Sequence, residues 1–392
     1  HRRQRQMCIR DRKYSNNSIN LIMLAMGKSF VLFAIFLCLS SNVSFGETID
    51  SASIWLDSSK AFIDQENGAE ALPLAEKAMS VFEENGDWEN YVDAGLQVTR
   101  AYYYLSKRGR EEFAKKLLAV AKEKLGIDHR LCAHVYFEWA SAVSIRTRSY
   151  EVPQLMDTAL MLHLKHYPDD DPDVAIVKIQ LGFAWVQVGF YDKGIAYIEQ
   201  ALEVFKEQND EGAIGAAYSY LGLAHRHVGD YEMAISYYKK SLALLTSQHG
   251  ENSDPVAIDN NNLGVSYRLN GDYQLALECY RKTLAIDKAT LGETHHYVAG
   301  DYENIGICHR FMENYDSAFF YYQKVLQIRE DAFGPDHWRL ANTYRNLGWI
   351  YEYMNQPDAA WEHLSRGNTL WLKTAGYNNP DVAMSFAGVG SF

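Results

Sequence analysis

The sequence predicts an all-α protein, an α-solenoid of stacked antiparallel helix pairs. Three observations predict it. First, the pair Leu-Gly, with Ile or Val replacing Leu in some copies, recurs every 42 residues. It stands at Leu221-Gly222, Leu263-Gly264, Ile305-Gly306, Leu347-Gly348 and Val389-Gly390. A further Leu181-Gly182 precedes Leu221 by 40 residues. A fixed period of this size marks a repeat in which each unit buries its apolar face only against its neighbours. Second, after each turn Ala276, Tyr280 and Leu284, and their equivalents, return every four positions, which is one face of an α-helix. Third, hydrophobic residues make up 47% of 392 residues and only 8 are proline, so a continuous core and long helices are both available.

The chain opens on His1, not Met, with a basic, irregular stretch from Arg2 to Arg12. That stretch resembles translated adapter sequence, and residues 1–25 are expected to be a non-native leader. A native basic arm is the alternative. Met26 is a better start. Lys28 supplies a positive charge, Phe30 to Leu39 is an unbroken apolar run, and Ser44 and Gly46 are small residues at cleavage-determining positions. Residues 26–46 therefore read as a signal peptide cut before Glu47, and the mature chain as exported, periplasmic or extracellular. The run is shorter than the roughly 20 residues a membrane span needs. An uncleaved anchor through residues 21–39 is the alternative, with Lys28 inside it. A lipid anchor on Cys38 is rejected, because Phe36 and Leu37 before it are too large.

Residues 47–130 show helical faces, such as Ala69, Leu72, Ala75 and Ala78, or Ala94, Val98 and Tyr102, but no Leu-Gly. They are expected to be diverged helical repeats or an N-terminal cap. The array proper is expected over residues 131–392, beginning with a degenerate unit that has Trp139 at the Leu site. Its Ala159-Leu160 lies 42 residues before Ala201-Leu202. In a regular unit Leu263 to Tyr267 lies on a first helix, Asn270-Gly271-Asp272-Tyr273 is a turn, and Ala276 to Leu284 lies on a second helix. The neighbours repeat this with Gly229-Asp230-Tyr231 and Glu313-Asn314-Tyr315. The Gly and Ala positions are small because two helices cross there, and the Tyr after the turn is expected to fill the gap. Between units Gly250, and later Gly334, closes one helix, and Asp254-Pro255 or His337-Trp338 opens the next. The motif Asn379-Pro380-Asp381 starts a further unit, so Phe392 is expected to fall inside its first helix, with the parent protein continuing.

These residues resemble the tetratricopeptide repeat. The usual period is about 34. The 42 found here add about two helical turns, the longer form of kinesin-light-chain-like repeats. The resemblance implies a right-handed superhelix whose first helices line a concave groove. It implies that the residue before Leu-Gly, and the fourth residue after Gly, face that groove. The first set reads Gln180, Tyr220, Asn262, Asn304 and Asn346; the second reads Arg226, Arg268, Arg310 and then Glu352. Each Asn amide both donates and accepts, which suits the backbone of an extended peptide. Each Arg fork suits a carboxylate. Phe311, Trp349 and Tyr353 would add apolar contact. The competing readings are Asn side chains bonded to the neighbouring repeat and Arg side chains that are merely solvated.

The expected function is a non-catalytic scaffold that holds an extended, partly acidic peptide or partner protein. One alternative is the sensory or substrate-recruiting N-terminal arm of a larger enzyme, a caspase-like peptidase or sensor kinase, with its catalytic domain beyond residue 392. A structural assembly factor at the envelope is another. The net charge is −12, and −18 for residues 47–392 because the first 46 hold seven Lys/Arg and one Asp. Nothing there attracts a nucleic-acid backbone. No Gly-rich phosphate loop and no Gly-x-Ser-x-Gly elbow occurs, so no cofactor and no catalytic residue is assigned. No metal site is assigned either. His295, His296 and His337 read as loop caps, and His225 and His309 as packing. His163 and His166 lack a ligand-rich partner. Asp169 to Asp171 lacks the Gly and Glu of a calcium loop. Cys132, Cys279 and Cys308 form no disulfide framework and read as small buried helix residues.

Overall fold

The structure is a computed structural model that describes residues 48–144 and 149–375. The leader, the signal segment and the Val389-Gly390 copy lie outside the described residues. The chain divides into two compact units, His1–Gly229 and Asp230–Phe392. The first holds α1 (Ile49–Asp64), α2 (Gly68–Asn85), α3 (Trp88–Tyr104), α4 (Arg110–Leu125), α5 (Arg130–Ser144), α6 (Glu151–His163), α7 (Pro172–Gln187), α8 (Tyr191–Glu207) and α9 (Glu211–Val228). The second holds α10 (Tyr231–His249), α11 (Asp254–Asn270), α12 (Tyr273–Leu291), α13 (His296–Phe311), α14 (Tyr315–Phe333), a 3₁₀ turn (Trp338–Leu340), α15 (Ala341–Tyr353) and α16 (Pro357–Ala375). Within each unit every helix packs on the next in sequence, the packing of an α-solenoid. The described residues contain no strand, and none of their helices is long and apolar enough to cross a membrane.

Helix ends follow the turn chemistry of the sequence. Asp230 caps α10 by accepting from the Met233 amide at 3.1 Å, and Asp171 caps α7 by accepting from the Asp173 amide at 2.8 Å. Gly229 and Gly271 close α9 and α11 at φ 93° and 92°, where a Cβ would be strained. The loop histidines act as caps. His295 and His337 accept from the amides of Tyr297 and Arg339 through Nδ1, at 3.4 and 3.3 Å.

The Leu-Gly glycines lie where helices cross. A Cβ on Gly182 would meet the Gly194 carbonyl at 2.5 Å, and one on Gly264 would meet the Tyr280 ring at 2.8 Å. The residue that fills this gap is not the Tyr after the turn. Tyr231, Tyr273 and Tyr315 are half-buried. The gap is filled by Tyr238, Tyr280 and Tyr322, all fully buried. They lie seven residues, about two helical turns, further along the second helix, on the same face but opposite the glycine.

Each unit also has a polar staple. In the first, Glu138 of α5 is buried and accepts from Arg110 at 2.6 Å and from Arg100 at 3.2 Å. It sits beside the largest apolar cluster, which runs from Val92 to Ala184. In the second, Arg329 of α14 reaches Glu303 of α13 and Thr343 of α15, both at 2.7 Å. One guanidinium thus ties three consecutive helices.

Candidate functional site

The candidate residues of the second unit lie on its first helices, α11, α13 and α15. Asn262, Asn304 and Asn346 are only 4%, 3% and 8% exposed. Asn304 donates to Asn261 of the preceding first helix at 2.9 Å. The same column behaves alike in the first unit, where Gln180 donates to the Tyr220 hydroxyl at 2.7 Å. Amides held this way tie repeat to repeat and leave little surface for a ligand.

The Arg column differs. Arg268 and Arg310 are half-buried, and the Nε of each is buried without a hydrogen-bond partner. Neither forms an ion pair among the described residues. Arg226 carries the same unpartnered Nε but belongs to the first unit. Arg310 lies beside the Tyr322 hydroxyl, whose pKa burial pushes up. Its guanidinium also sits 4.7 Å from the Phe311 ring centre and 5.5 Å from that of Trp349. Arg345 approaches the same Trp349 at 5.2 Å. Cation–π contacts of this kind fix the guanidinium plane and leave its N–H edges for an acceptor.

Phe311 and Tyr353 end their first helices and are 46% and 56% exposed. Each stacks nearly parallel on the Tyr that opens the preceding second helix. Tyr273 lies under Phe311 at 5.4 Å with 3° between planes, and Tyr315 under Tyr353 at 4.8 Å with 4°. Leu269 holds the same register position on α11 and is 41% exposed. Sequence reasoning missed these stacks and Arg345. The available signal was the constant 38-residue separation of Tyr273 from Phe311 and of Tyr315 from Tyr353.

The remaining candidates have structural surroundings. His309 stacks on Tyr321 at 5.4 Å. His163 is buried, bonds the Ala159 carbonyl at 2.8 Å and meets His134 edge-on at 4.8 Å. Burial pushes the Cys279 and Cys308 thiols up to about 11 and about 12, so both stay protonated at neutral pH. Among the described residues no group of three or more His, Cys, Asp or Glu side chains gathers to hold a metal ion.

The tetratricopeptide repeat family matches four overlapping stretches, residues 173–247, 213–289, 254–331 and 302–367. Among solved structures the chain is similar to the apo form of RapI, with TM-score 0.59 and 14% identity over 87% of this chain and 98% of that one. It is also similar to aspartyl phosphate phosphatase F from Bacillus subtilis, with TM-score 0.53 and 15% identity over 90% and 92%. A putative kinesin light chain from Podosopora anserina with nearly identical repeats matches at 18% identity and TM-score 0.48, over 52% and 98%. No curated protein sequence matches the chain. With the Leu-Gly period, the helix pairs and the four matched stretches in one register, the chain belongs to the tetratricopeptide repeat family, in the 42-residue form of kinesin-light-chain-like repeats.

Proposed function

We propose that the protein is a non-catalytic interaction scaffold and that the first-helix face of its second unit grips an extended, acidic segment of a partner. The observation that carries this is the pair Arg268 and Arg310. They are one repeat apart, without carboxylate partners, on a chain whose net charge is −12. An unpaired guanidinium with a buried Nε is incompletely solvated, and a carboxylate from a partner restores the missing charge-assisted bond. Phe311, Trp349 and Tyr353 frame the two cations and supply apolar contact area. The Asn column contributes by holding the repeats in register, through Asn304 to Asn261.

An array of extended peptides of graded charge, probed with the full chain and with the Arg268→Glu/Arg310→Glu variant, tests this reading. Acidic peptides are retained by the parent and lost by the variant. Equal retention by both proteins removes the assignment. The mature chain is proposed to act outside the cytoplasm after cleavage at Gly46. N-terminal sequencing of a chain expressed from Met26 with its signal segment reads Glu47 if this holds, and Met26 if it does not.

A further inference from the structure

The exposed stacked rings and the two cations share one repeat distance, and that distance has a chemical consequence. Asn304 to Asn261 and Arg310 to Trp349 bring side chains of α13 against those of both neighbouring first helices. Helices interlocked at this range stand about 10 Å apart. A polyproline II segment has three residues per turn and rises about 9 Å per turn. Such a segment presents the same side chain to each successive repeat, whereas a β-strand, at about 3.3 Å per residue with alternating faces, falls out of step.

We propose that the ligand of this face is an acidic, proline-containing segment bound in the polyproline II conformation, with every third residue in register with the repeats. This inference rests on the acidic-segment reading above and adds the ligand's conformation and composition. Phe311 and Tyr353, with Leu269 in the same row, take successive prolines. Pyrrolidine rings pack on flat aromatic faces, and here Tyr273 and Tyr315 already hold those faces in place. Arg268 and Arg310 take the acidic residues that recur with the same period. The charge argument excludes a basic proline-rich ligand. A preformed polyproline II helix also gives up little chain entropy on binding.

Fluorescence anisotropy of the full chain with a labelled peptide of repeated Pro-Pro-Glu units tests the inference, with repeated Ala-Ala-Glu and Pro-Pro-Lys units as controls. Pro-Pro-Glu is expected to bind about tenfold tighter than Ala-Ala-Glu, with Pro-Pro-Lys not binding. Phe311→Ala and Tyr353→Ala each reduce affinity for Pro-Pro-Glu by about tenfold and remove the preference for proline, whereas Tyr353→Phe retains both. Both rings are largely exposed, so unchanged thermal midpoints show that the variants fold. Equal binding of Pro-Pro-Glu and Ala-Ala-Glu, both weakened by Arg268→Glu, overturns the proline inference and leaves the acidic grip standing. Binding of neither acidic peptide overturns both.

Discussion

Replacing Gly182 and Gly306 by alanine, one at a time, separates helix propensity from helix crossing. Both are the Gly of a Leu-Gly or Ile-Gly pair on a first helix. In both the substitution gains about 1 kcal/mol of helix propensity. The packing cost differs. A Cβ on Gly182 lies 2.5 Å from the Gly194 carbonyl and 2.7 Å from Ile198 Cγ1, and α7 and α8 must separate to admit it. A Cβ on Gly306 meets nothing closer than the Tyr322 ring at 3.4 Å, an ordinary contact. Overpacking against backbone is at the upper end of about 1–3 kcal/mol. Gly182→Ala is therefore expected to destabilise its helix pair by about 2 kcal/mol, and Gly306→Ala to stabilise its own by up to about 1 kcal/mol. Native-state hydrogen exchange reads this locally, which suits a chain whose units can open separately. About 2 kcal/mol corresponds to roughly thirtyfold faster exchange in α7 and α8 of the first variant. In the second, α13 and α14 exchange more slowly. Equal effects of the two substitutions refute the crossing argument.

Two further outcomes follow from buried charge in the first unit. Glu138→Gln leaves the buried Arg110 guanidinium without its counter-charge, at a cost of about 3 kcal/mol, read as a lower denaturant midpoint for α3 to α5. His134 is held neutral by burial, with His163, Arg100 and Arg130 adding repulsion against the opposing Glu138, and its pKa falls from 6.5 to about 3. Since the unfolded chain takes up the proton first, the stability it contributes is complete above about pH 6.5 and declines toward pH 3, by roughly 4 kcal/mol in total. His134→Phe flattens that part of the stability–pH curve, and an unchanged curve contradicts the assignment.

The repeat was legible in the sequence because a Gly that must accept a crossing helix tolerates no substitute of ordinary size, so Leu-Gly returns in strict register. The turns were legible for the same kind of local reason, in Gly271-Asp272 and in His337 before its helix. What lay beyond reading were partners joined across repeats. Glu303 and Asn261 occupy the same register position, yet Glu303 binds Arg329 while Asn261 receives Asn304. Register fixes which helices meet, and side-chain length decides what they exchange. For the same reason Asn304 looked like a groove residue from spacing alone, although its amide is occupied by the neighbouring repeat. Tyr280 and Tyr273 lie on one helical face, and only their depth under α11 separates the gap-filler from the half-exposed stacking ring.

The central claim, that Arg268 and Arg310 recognise acidic side chains of a bound segment, is tested most directly by charge reversal on both partners. Titrate the parent chain and the Arg268→Glu/Arg310→Glu variant with an acidic extended peptide and with the same peptide carrying Lys in place of Glu. The expected result is a crossed pattern, with the acidic peptide bound by the parent alone and the Lys peptide by the variant alone. Acidic-peptide affinity that is the same for both proteins contradicts the claim.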